Sequence, residues 1–108
     1  MTALPGPALV WCPFPDADAA ADAAAILLEA GLIACANILP PMRSLYVWQG
    51  ERGDETEVGA LFKTNAARLP ELTAKLAELH PYEEPAILGW HCDGAAPATA
   101  AWLGALGE

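Results

Sequence analysis

The segment 80–84, with the sequence His-Pro-Tyr-Glu-Glu, holds a dense set of side chains that bind metals or move protons. It places an imidazole, a phenol and two carboxylates within five consecutive residues. Pro81 and Pro85 stiffen it, because each ring fixes its own φ and pushes the preceding residue towards extended geometry. This pattern is as typical of a rigid polar turn as of a metal or small-molecule site, and both interpretations stay open.

Outside the segment 80–84, no sequence motif indicates an enzyme active site. The sequence contains no nucleophile elbow, no glycine-rich phosphate loop and no HExxH helix. Nothing in it shows that His80, Tyr82 and the two neighbouring glutamates converge on a substrate. We therefore do not expect an enzyme.

Length and charge restrict the remaining function classes. The chain has 108 residues, which suits a single domain spanning 1–108. Its formal net charge of −9, with only 5 Lys and Arg residues, would repel a phosphate backbone, so we expect no nucleic-acid partner. No run approaches the roughly 20 apolar residues of a membrane span, and no secretory leader is visible. The three cysteines are odd in number and widely spaced, which suits reduced thiols in a soluble, cytoplasmic protein.

The candidate residues must be positioned by alternating strands and helices. The hydrophobic pattern predicts strands at 8–14, 32–39, 55–65 and 85–92 and helices at 16–30, 66–79 and 97–106. The Pro40–Pro41 pair predicts an edge, a bulge or a bend, after which 43–49 extends the second strand. Residues 50–54 have the composition of a hairpin loop. Asp16 is the predicted N-cap of the first helix, and Gly31 is its predicted terminator.

Helical periodicity assigns an inward face to each helix. The residues predicted to face the core are Ala20, Ala24, Leu27 and Leu28 in the first helix, Leu69, Leu72, Leu76 and Leu79 in the second, and Trp102, Leu103 and Leu106 in the third. Glu71 and Lys75 are predicted to pair on the solvent side of the second helix. Cys35 and Cys92 are assigned to packing.

The order of elements predicts an α+β, ferredoxin-like split βαβ fold. Its four-stranded antiparallel sheet carries two helices on one face, a long hairpin between the second and third strands, and an extra C-terminal helix. The other sheet face is predicted to be bare, and the hairpin is too long for this domain to cover. Both features require a partner, and we expect another copy of the chain. Tyr46 and Trp48, near the far end of the hairpin, are the predicted interface anchors.

Five segments of the sequence resemble the CutA family, which is named for divalent-cation tolerance. They are LVWCPFPD at 9–16, LIACANIL at 32–39, SLYVWQGE at 44–51, EVGALFKT at 57–64 and HPYEEPAIL at 80–88. Together they extend over nearly the whole chain in the order and spacing of the family. The resemblance implies a homotrimer whose hairpins reach across to neighbouring subunits. This architecture is similar to that of PII-type signalling trimers, which implies ligand sites in the clefts between subunits.

The resemblance also implies a site for copper or another divalent cation. Cys12 matches the ligand cysteine of the family, and His80 matches the second of two consecutive histidines that precede Pro-Tyr. Leu79 stands at the position of the first histidine. A soft sulfur and a borderline imidazole suit copper and zinc. Water, Glu83 or a neighbouring subunit is expected to supply the remaining ligands, and we expect weak binding.

A second candidate site is the expected cleft between subunits. The residues predicted to line it are Glu57, Lys63, Tyr82 and Glu83. A salt-bridge and hydrogen-bond network without a ligand would explain these residues equally well. Three functions therefore stay open: a trimeric, metal-responsive protein that binds copper or another divalent ion, a PII-like regulatory trimer that binds a small anionic ligand or metabolite, and a structural trimer that anchors another protein.

Overall fold

A computed structural model describes residues 4–107, which form one four-stranded sheet and three helices. The strands are β1 (Pro7–Phe14), β2 (Cys35–Trp48), β3 (Glu51–Asn65) and β4 (Leu88–His91), and the helices are α1 (Ala17–Glu29), α2 (Leu69–Leu79) and α3 (Pro97–Gly104). The strand order is β2-β3-β1-β4, and every neighbouring pair is antiparallel. The predicted α+β, ferredoxin-like arrangement is therefore confirmed.

The core lies between the sheet and the first two helices. Every second residue of β1 is buried, as the alternation of side chains along a strand requires. Phe14 of β1 packs edge-on against Phe62 of β3, with ring centroids 6.3 Å apart. The helices close this layer with small and branched side chains: Ala20, Ala23, Ala24 and Leu27 from α1, and Leu72 and Leu76 from α2. Because alanine side chains are short, α1 can lie close to the sheet.

Asp16 and Gly31 bound α1 as predicted. The Asp16 side chain accepts a 2.8 Å hydrogen bond from the Ala19 amide, which satisfies a donor that the first helical turn leaves free. Gly31 has a φ of +71°, the left-handed geometry that glycine commonly supplies after a helix. The chain therefore reverses sharply and buries Leu32 and Ile33.

β1 is one of the two inner strands of the sheet, and its two neighbours pair with different lengths of it. β3 pairs with β1 along the whole strand. β4 is only 4 residues long and pairs with residues 8–11. The end of β1 therefore has no β4 partner, and there the carbonyl oxygen of Pro13 bonds to the ring of His80. This contact brings the segment after α2 next to the sheet.

The hairpin between β2 and β3 is tighter than predicted. The prediction of a loop over 50–54 is wrong, because a two-residue turn of Gln49 and Gly50 joins Trp48 to its partner Glu51. The turn residues have φ values of +51° and +81°. Positive φ at both positions matches the twist of a two-residue hairpin, so the strands stay paired to the tip.

The predicted irregularity at the proline pair is confirmed. β2 runs continuously from Cys35 to Trp48, but its pairing with β3 shifts between Ile38 and Pro41. Neither proline supplies an amide donor, so a bulge is the way for the strand to continue past them. β2 begins at Cys35 and not at Leu32, since the chain leaves α1 through a turn.

The predicted start of α2 at residue 66 is too early and the predicted end of α3 at residue 106 is too late. The side chain of Asn65 accounts for both differences. Its Oδ1 accepts a 3.1 Å hydrogen bond from the Arg68 amide, which forms a turn before α2 begins at Leu69. Its Nδ2 donates to the carbonyl oxygens of Leu103 (2.8 Å) and Leu106 (3.2 Å). The buried amide thereby occupies the carbonyls near the end of α3, which stops at Gly104.

Four further predictions from the pattern are wrong. β4 begins at Leu88 and not at Pro85. Leu28 and Trp102, predicted to face the core, are exposed. Lys75 pairs with Glu78 at 3.5 Å instead of with Glu71. The choice between partners at i−4 and i+3 depends on side-chain rotamers, which a spacing rule does not determine.

The sheet face that points away from the helices carries exposed apolar groups. Leu88 and Trp90 stand opposite Trp11 and Leu9 on this face, and Leu88 is 65% exposed. The hairpin extends the molecule to 51 Å in one direction against 26 and 24 Å in the others. Its Val47 is 67% exposed. Among residues 4–107, no helix is long and apolar enough to span a membrane.

Candidate functional site

A cleft of about 920 Å³ lies between the β2–β3 hairpin and the segment 82–86. We call it the acidic cleft and define it by seven of its lining residues. They are Tyr46, Trp48, Glu55, Glu57, Tyr82, Glu83 and Glu84. The hairpin supplies the first four and the segment after α2 supplies the other three.

Strand register explains why the hairpin residues share one side. Directly opposed residues of an antiparallel pair point to the same face. Ser44 stands opposite Glu55, and Tyr46 stands opposite Gly53. Because side chains alternate along a strand, Glu57 lies on that face as well. A Cβ at position 53 would collide with the Tyr46 ring, so the absence of a side chain at Gly53 makes room for this wall of the cleft.

The acidic cleft has a strongly one-sided charge. Four glutamates line it, and none of the described residues in its lining is Lys or Arg. On the hairpin, Arg43 forms a two-pronged ion pair with Asp54, at 2.8 and 2.9 Å. That pair lies on the opposite side of the hairpin, since Arg43 and Asp54 alternate with the cleft residues. The cleft is therefore suited to positively charged ligands.

Three of the four predicted cleft residues come together, and the fourth does not. Glu57, Tyr82 and Glu83 line the acidic cleft. Lys63 stands opposite Leu9 in the sheet, six positions beyond Glu57, which corresponds to about 20 Å along a strand. Within one chain, therefore, no predicted cation faces the cleft.

Tyr82 and Glu57 are joined directly. The Tyr82 hydroxyl donates a 2.9 Å hydrogen bond to Oε2 of Glu57. Burial, this hydrogen bond and the charges of Glu57 and Glu55 all raise the pKa of Tyr82 well above its usual range. The pKa of Tyr46 is raised by desolvation and by Glu55 and Glu57. Both phenols are thus held in the protonated, hydrogen-bond-donating form.

His80 lies behind the cleft and not in it. The residue is only 6% exposed. Its ring stacks on Phe14, with centroids 4.4 Å apart and planes at 23°, and contacts Tyr82 at 4.7 Å. Nδ1 accepts a 3.1 Å hydrogen bond from the Tyr82 amide, and Nε2 lies 2.8 Å from the Pro13 carbonyl oxygen. Both ring nitrogens are engaged with the protein.

Cys12 is buried in the core, 0% exposed, and its thiol points to the Pro13 carbonyl oxygen at 3.6 Å. Burial, and secondarily the charge of Glu57, raises the pKa of the Cys12 thiol to about 12. Copper and zinc bind the thiolate, so ligation by Cys12 would require this thiol to lose its proton inside the core. Within residues 4–107, no group of three or more His, Cys, Asp or Glu side chains is arranged to hold a metal ion. The pair of Cys12 and His80 therefore does not fit the metal site that the resemblance implies.

Sequence analysis missed Glu55 as a cleft residue and singled out Glu84 only as part of its segment. A signal for Glu55 was present, because Glu55 and Glu57 are two residues apart on a predicted strand and so share a face. The Pro13 carbonyl left no signal, since a backbone acceptor 67 positions from its partner has no side-chain pattern. Tyr46 and Trp48, predicted as interface anchors, are both exposed and line the cleft.

Comparison with known proteins gives a consistent result over nearly the whole chain. The sequence model of the family described as CutA1 divalent ion tolerance protein matches residues 8–105. The divalent-cation tolerance protein CutA of Pyrococcus horikoshii is 39% identical over 95 residues, which are 88% of this chain and 92% of that protein.

Solved structures agree with the sequence comparison. The crystal structure of the divalent ion tolerance protein CutA1 from Ehrlichia chaffeensis superposes with a TM-score of 0.87 at 33% identity, covering 94% of each chain. A structure described as the periplasmic divalent cation tolerance protein CutA from Archaeoglobus fulgidus superposes with a TM-score of 0.84 at 26% identity, covering 90% of this chain and 94% of that one.

Proposed function

Because this chain belongs to the CutA1 divalent ion tolerance family, we propose that it acts in cation tolerance as a homotrimer that takes up divalent cations at the acidic cleft. The observation that carries the proposal is the composition of the cleft, whose described lining contains four glutamates and two protonated phenols and no Lys or Arg. Such a site attracts cations and repels anions.

The charge of the cleft weighs against the second function that the sequence left open, a PII-like trimer that binds a small anionic ligand. A small anionic ligand would need a cation in the cleft, and Lys63, the only predicted one, lies about 20 Å along β3 from Glu57. The formal net charge of −9 adds a general repulsion of anions. Cation uptake is therefore the better account of this surface.

The proposed binding is weak and leaves the ion partly hydrated. The carboxylates surround an open cleft and do not converge as a ready-made ligand set, so water completes the coordination shell. Sites with oxygen ligands bind divalent first-row metals in an order that peaks at copper. Copper is accordingly the ion expected to bind most tightly, without being bound exclusively.

The proposed trimer rests on surfaces that one chain leaves open. Leu88 and Trp90 are exposed on the bare sheet face, and Val47 is exposed near the hairpin tip. Clusters of exposed apolar side chains are typical of protein–protein interfaces. Tyr46 and Trp48 belong both to the hairpin and to the acidic cleft, so a neighbouring subunit that contacts the hairpin would also narrow the cleft.

The proposal places the trimer in the cytoplasm and assigns it no catalytic step. Cys12, Cys35 and Cys92 are all free thiols, which suits a reducing compartment.

Calorimetric titration with copper and with magnesium tests the proposal. In the variant Glu83→Gln/Glu84→Gln, two exposed carboxylates of the cleft become neutral amides of the same shape. We expect copper affinity to fall about fivefold or more, since two negative charges next to the ion are removed. The matched control is Glu29→Gln/Glu71→Gln, which changes the net charge equally at two exposed helix positions outside the cleft. Equal losses in both variants, or no binding by the wild type, would show that the cleft is not the uptake site.

A further inference from the structure

We infer that Cys12 and His80 are not metal ligands in this chain and that His80 is a structural ring that fastens the segment after α2 to β1. The family resemblance assigns the opposite role to both residues. The inference does not rest on the proposed cation uptake, because neither Cys12 nor His80 is among the residues that line the acidic cleft.

The hydrogen bonds of His80 fix its tautomer. A ring nitrogen that accepts a hydrogen bond carries no proton, and Nδ1 accepts from the Tyr82 amide at 3.1 Å. The single proton of the neutral ring is therefore on Nε2, which donates to the Pro13 carbonyl oxygen at 2.8 Å. A metal ion needs a lone pair on one of these nitrogens. The Nε2 lone pair is absent in this tautomer, and the Nδ1 lone pair is already used.

Packing makes both bonds costly to release. The ring lies between Phe14 and Tyr82, at centroid distances of 4.4 and 4.7 Å, and is 6% exposed. Ligation through either nitrogen would leave a partly buried backbone group, the Pro13 carbonyl or the Tyr82 amide, without its partner. Loss of such a bond is unfavourable because the abandoned group is partly shielded from the water that would replace its partner. The ring is thus engaged on both edges and on both faces.

The other two positions of the implied metal site, Cys12 and Leu79, are equally unsuited to bind a metal ion. Cys12 is wholly buried among core side chains, and its thiol is directed at the Pro13 carbonyl oxygen. Leu79, which occupies the place of the family's first histidine, is packed against the same core. A metal bound between Cys12 and His80 would therefore need a thiolate formed inside an apolar layer and a third ligand that this position does not supply.

Nuclear magnetic resonance of the histidine side chains tests the inference on the wild-type protein. Only two histidines are present, and the second, His91, is exposed on β4, so it serves as an internal control. Near neutral pH, long-range proton–nitrogen correlations are expected to show His80 with a protonated Nε2 and an unprotonated Nδ1. Zinc is the probe, because it is diamagnetic and leaves the ring signals observable.

We expect zinc in several-fold excess to leave both His80 nitrogen shifts in their original pattern, whatever happens at His91. A His80 nitrogen that moves to a metal-bound shift and saturates at one equivalent of zinc per chain would overturn the inference. Reaction with a thiol reagent gives a second readout. Cys12 is expected to react only after unfolding, with or without zinc, whereas reaction of Cys12 in the native zinc-free protein that one equivalent of zinc abolishes would also overturn it.

Zinc taken up by cleft carboxylates can stabilise the fold, but it leaves the proton on Nε2 of His80 and does not make Cys12 reactive in the native protein. Failure of the proposed function and failure of this inference are therefore distinguishable.

Discussion

The Tyr82 hydroxyl donates a hydrogen bond of 2.9 Å to Oε2 of Glu57 and so ties the segment after α2 to β3. The two residues are 25 positions apart in sequence, and each forms part of a different wall of the acidic cleft. The bond therefore holds the two walls at a fixed separation. Because the donor is a phenol whose pKa is raised by burial and by Glu57, the bond persists across the physiological pH range.

Removal of the Tyr82 hydroxyl is expected to destabilise the protein modestly. Tyr82→Phe keeps the ring against His80 and removes only the hydrogen bond, so we expect a loss of about 0.5 to 1.5 kcal/mol in the free energy of unfolding. Urea denaturation at one fixed protein concentration measures it. The double variant with Glu57→Ala, compared with both single variants, is the control, and strictly additive effects of the two substitutions would show that the bond contributes nothing.

Stability is expected to fall as the pH rises above about 9. Burial and Glu57 raise the pKa of Cys12 from 9.0 to about 12, and the pKa of Tyr82 is raised as well. Between the unfolded and folded pKa values the folded chain holds protons that the unfolded chain has released. Higher pH therefore favours unfolding, and Cys12 alone contributes at most about 1.4 kcal/mol for each pH unit.

Urea denaturation at a series of pH values between about 8 and 11 measures this slope. Cys12→Ala removes the thiol, so its free energy of unfolding should depend less steeply on pH than that of the wild type. Parallel slopes for the two proteins would contradict the assignment to Cys12.

The sequence allowed the order of elements to be predicted because the relevant signals are local. Alternation in β1, the cap at Asp16 and the terminator at Gly31 each depend on neighbouring residues only. The hairpin turn was misplaced because Gly50 and Gly53 both have the composition of a turn residue. Only the strand register decides between them. In the observed register Gly50 lies in the turn, and Gly53 lies opposite Tyr46, whose ring occupies the place of the missing side chain.

The sequence predicted several residues of the candidate site but not which groups they bond to. The segment 80–84 was singled out by its side chains, and two of its glutamates do line the cleft. The role of His80 depends on the Pro13 carbonyl, a backbone group that every residue possesses and that no sequence pattern distinguishes. Within one chain Lys63 lies far from the acidic cleft, because six positions along an extended strand span about 20 Å, and its place in a cleft between subunits stays a prediction.

The protein is expected to be a homotrimer in solution. Gel filtration with light scattering should give three times the chain mass of 11.3 kDa. Trp48→Ala should weaken assembly by about 2 kcal/mol or more, because exposed aromatic residues on projecting elements commonly anchor interfaces. Trp102→Ala is the matched control, as it removes an equally exposed tryptophan on α3. A monomer mass for the wild type, or equal effects of the two substitutions, would contradict this role of the hairpin.

Gly59 is expected to tolerate no side chain without displacement of Trp11. A Cβ at position 59 would collide with the outer edge of the Trp11 ring, so Gly59→Ala should force this side chain off its rotamer, cost about 0.5 to 1.5 kcal/mol and change the tryptophan fluorescence. Gly94→Ala is the control, since a Cβ there meets nothing within 4 Å. Wild-type stability and fluorescence in Gly59→Ala would show that the ring has room to move.

The inner position of β1 has a consequence for the order in which the sheet can be completed during synthesis. Of the four strands of this sheet, β1 leaves the ribosome first, and it pairs with β3 and β4, which emerge third and last among them. The β2–β3 hairpin can close early across its two-residue turn, because its partners are adjacent in sequence. The sheet itself cannot be complete until residue 91 has emerged. Until then, Leu9 and Trp11 have an unpaired edge, which nascent-chain chaperones are suited to cover.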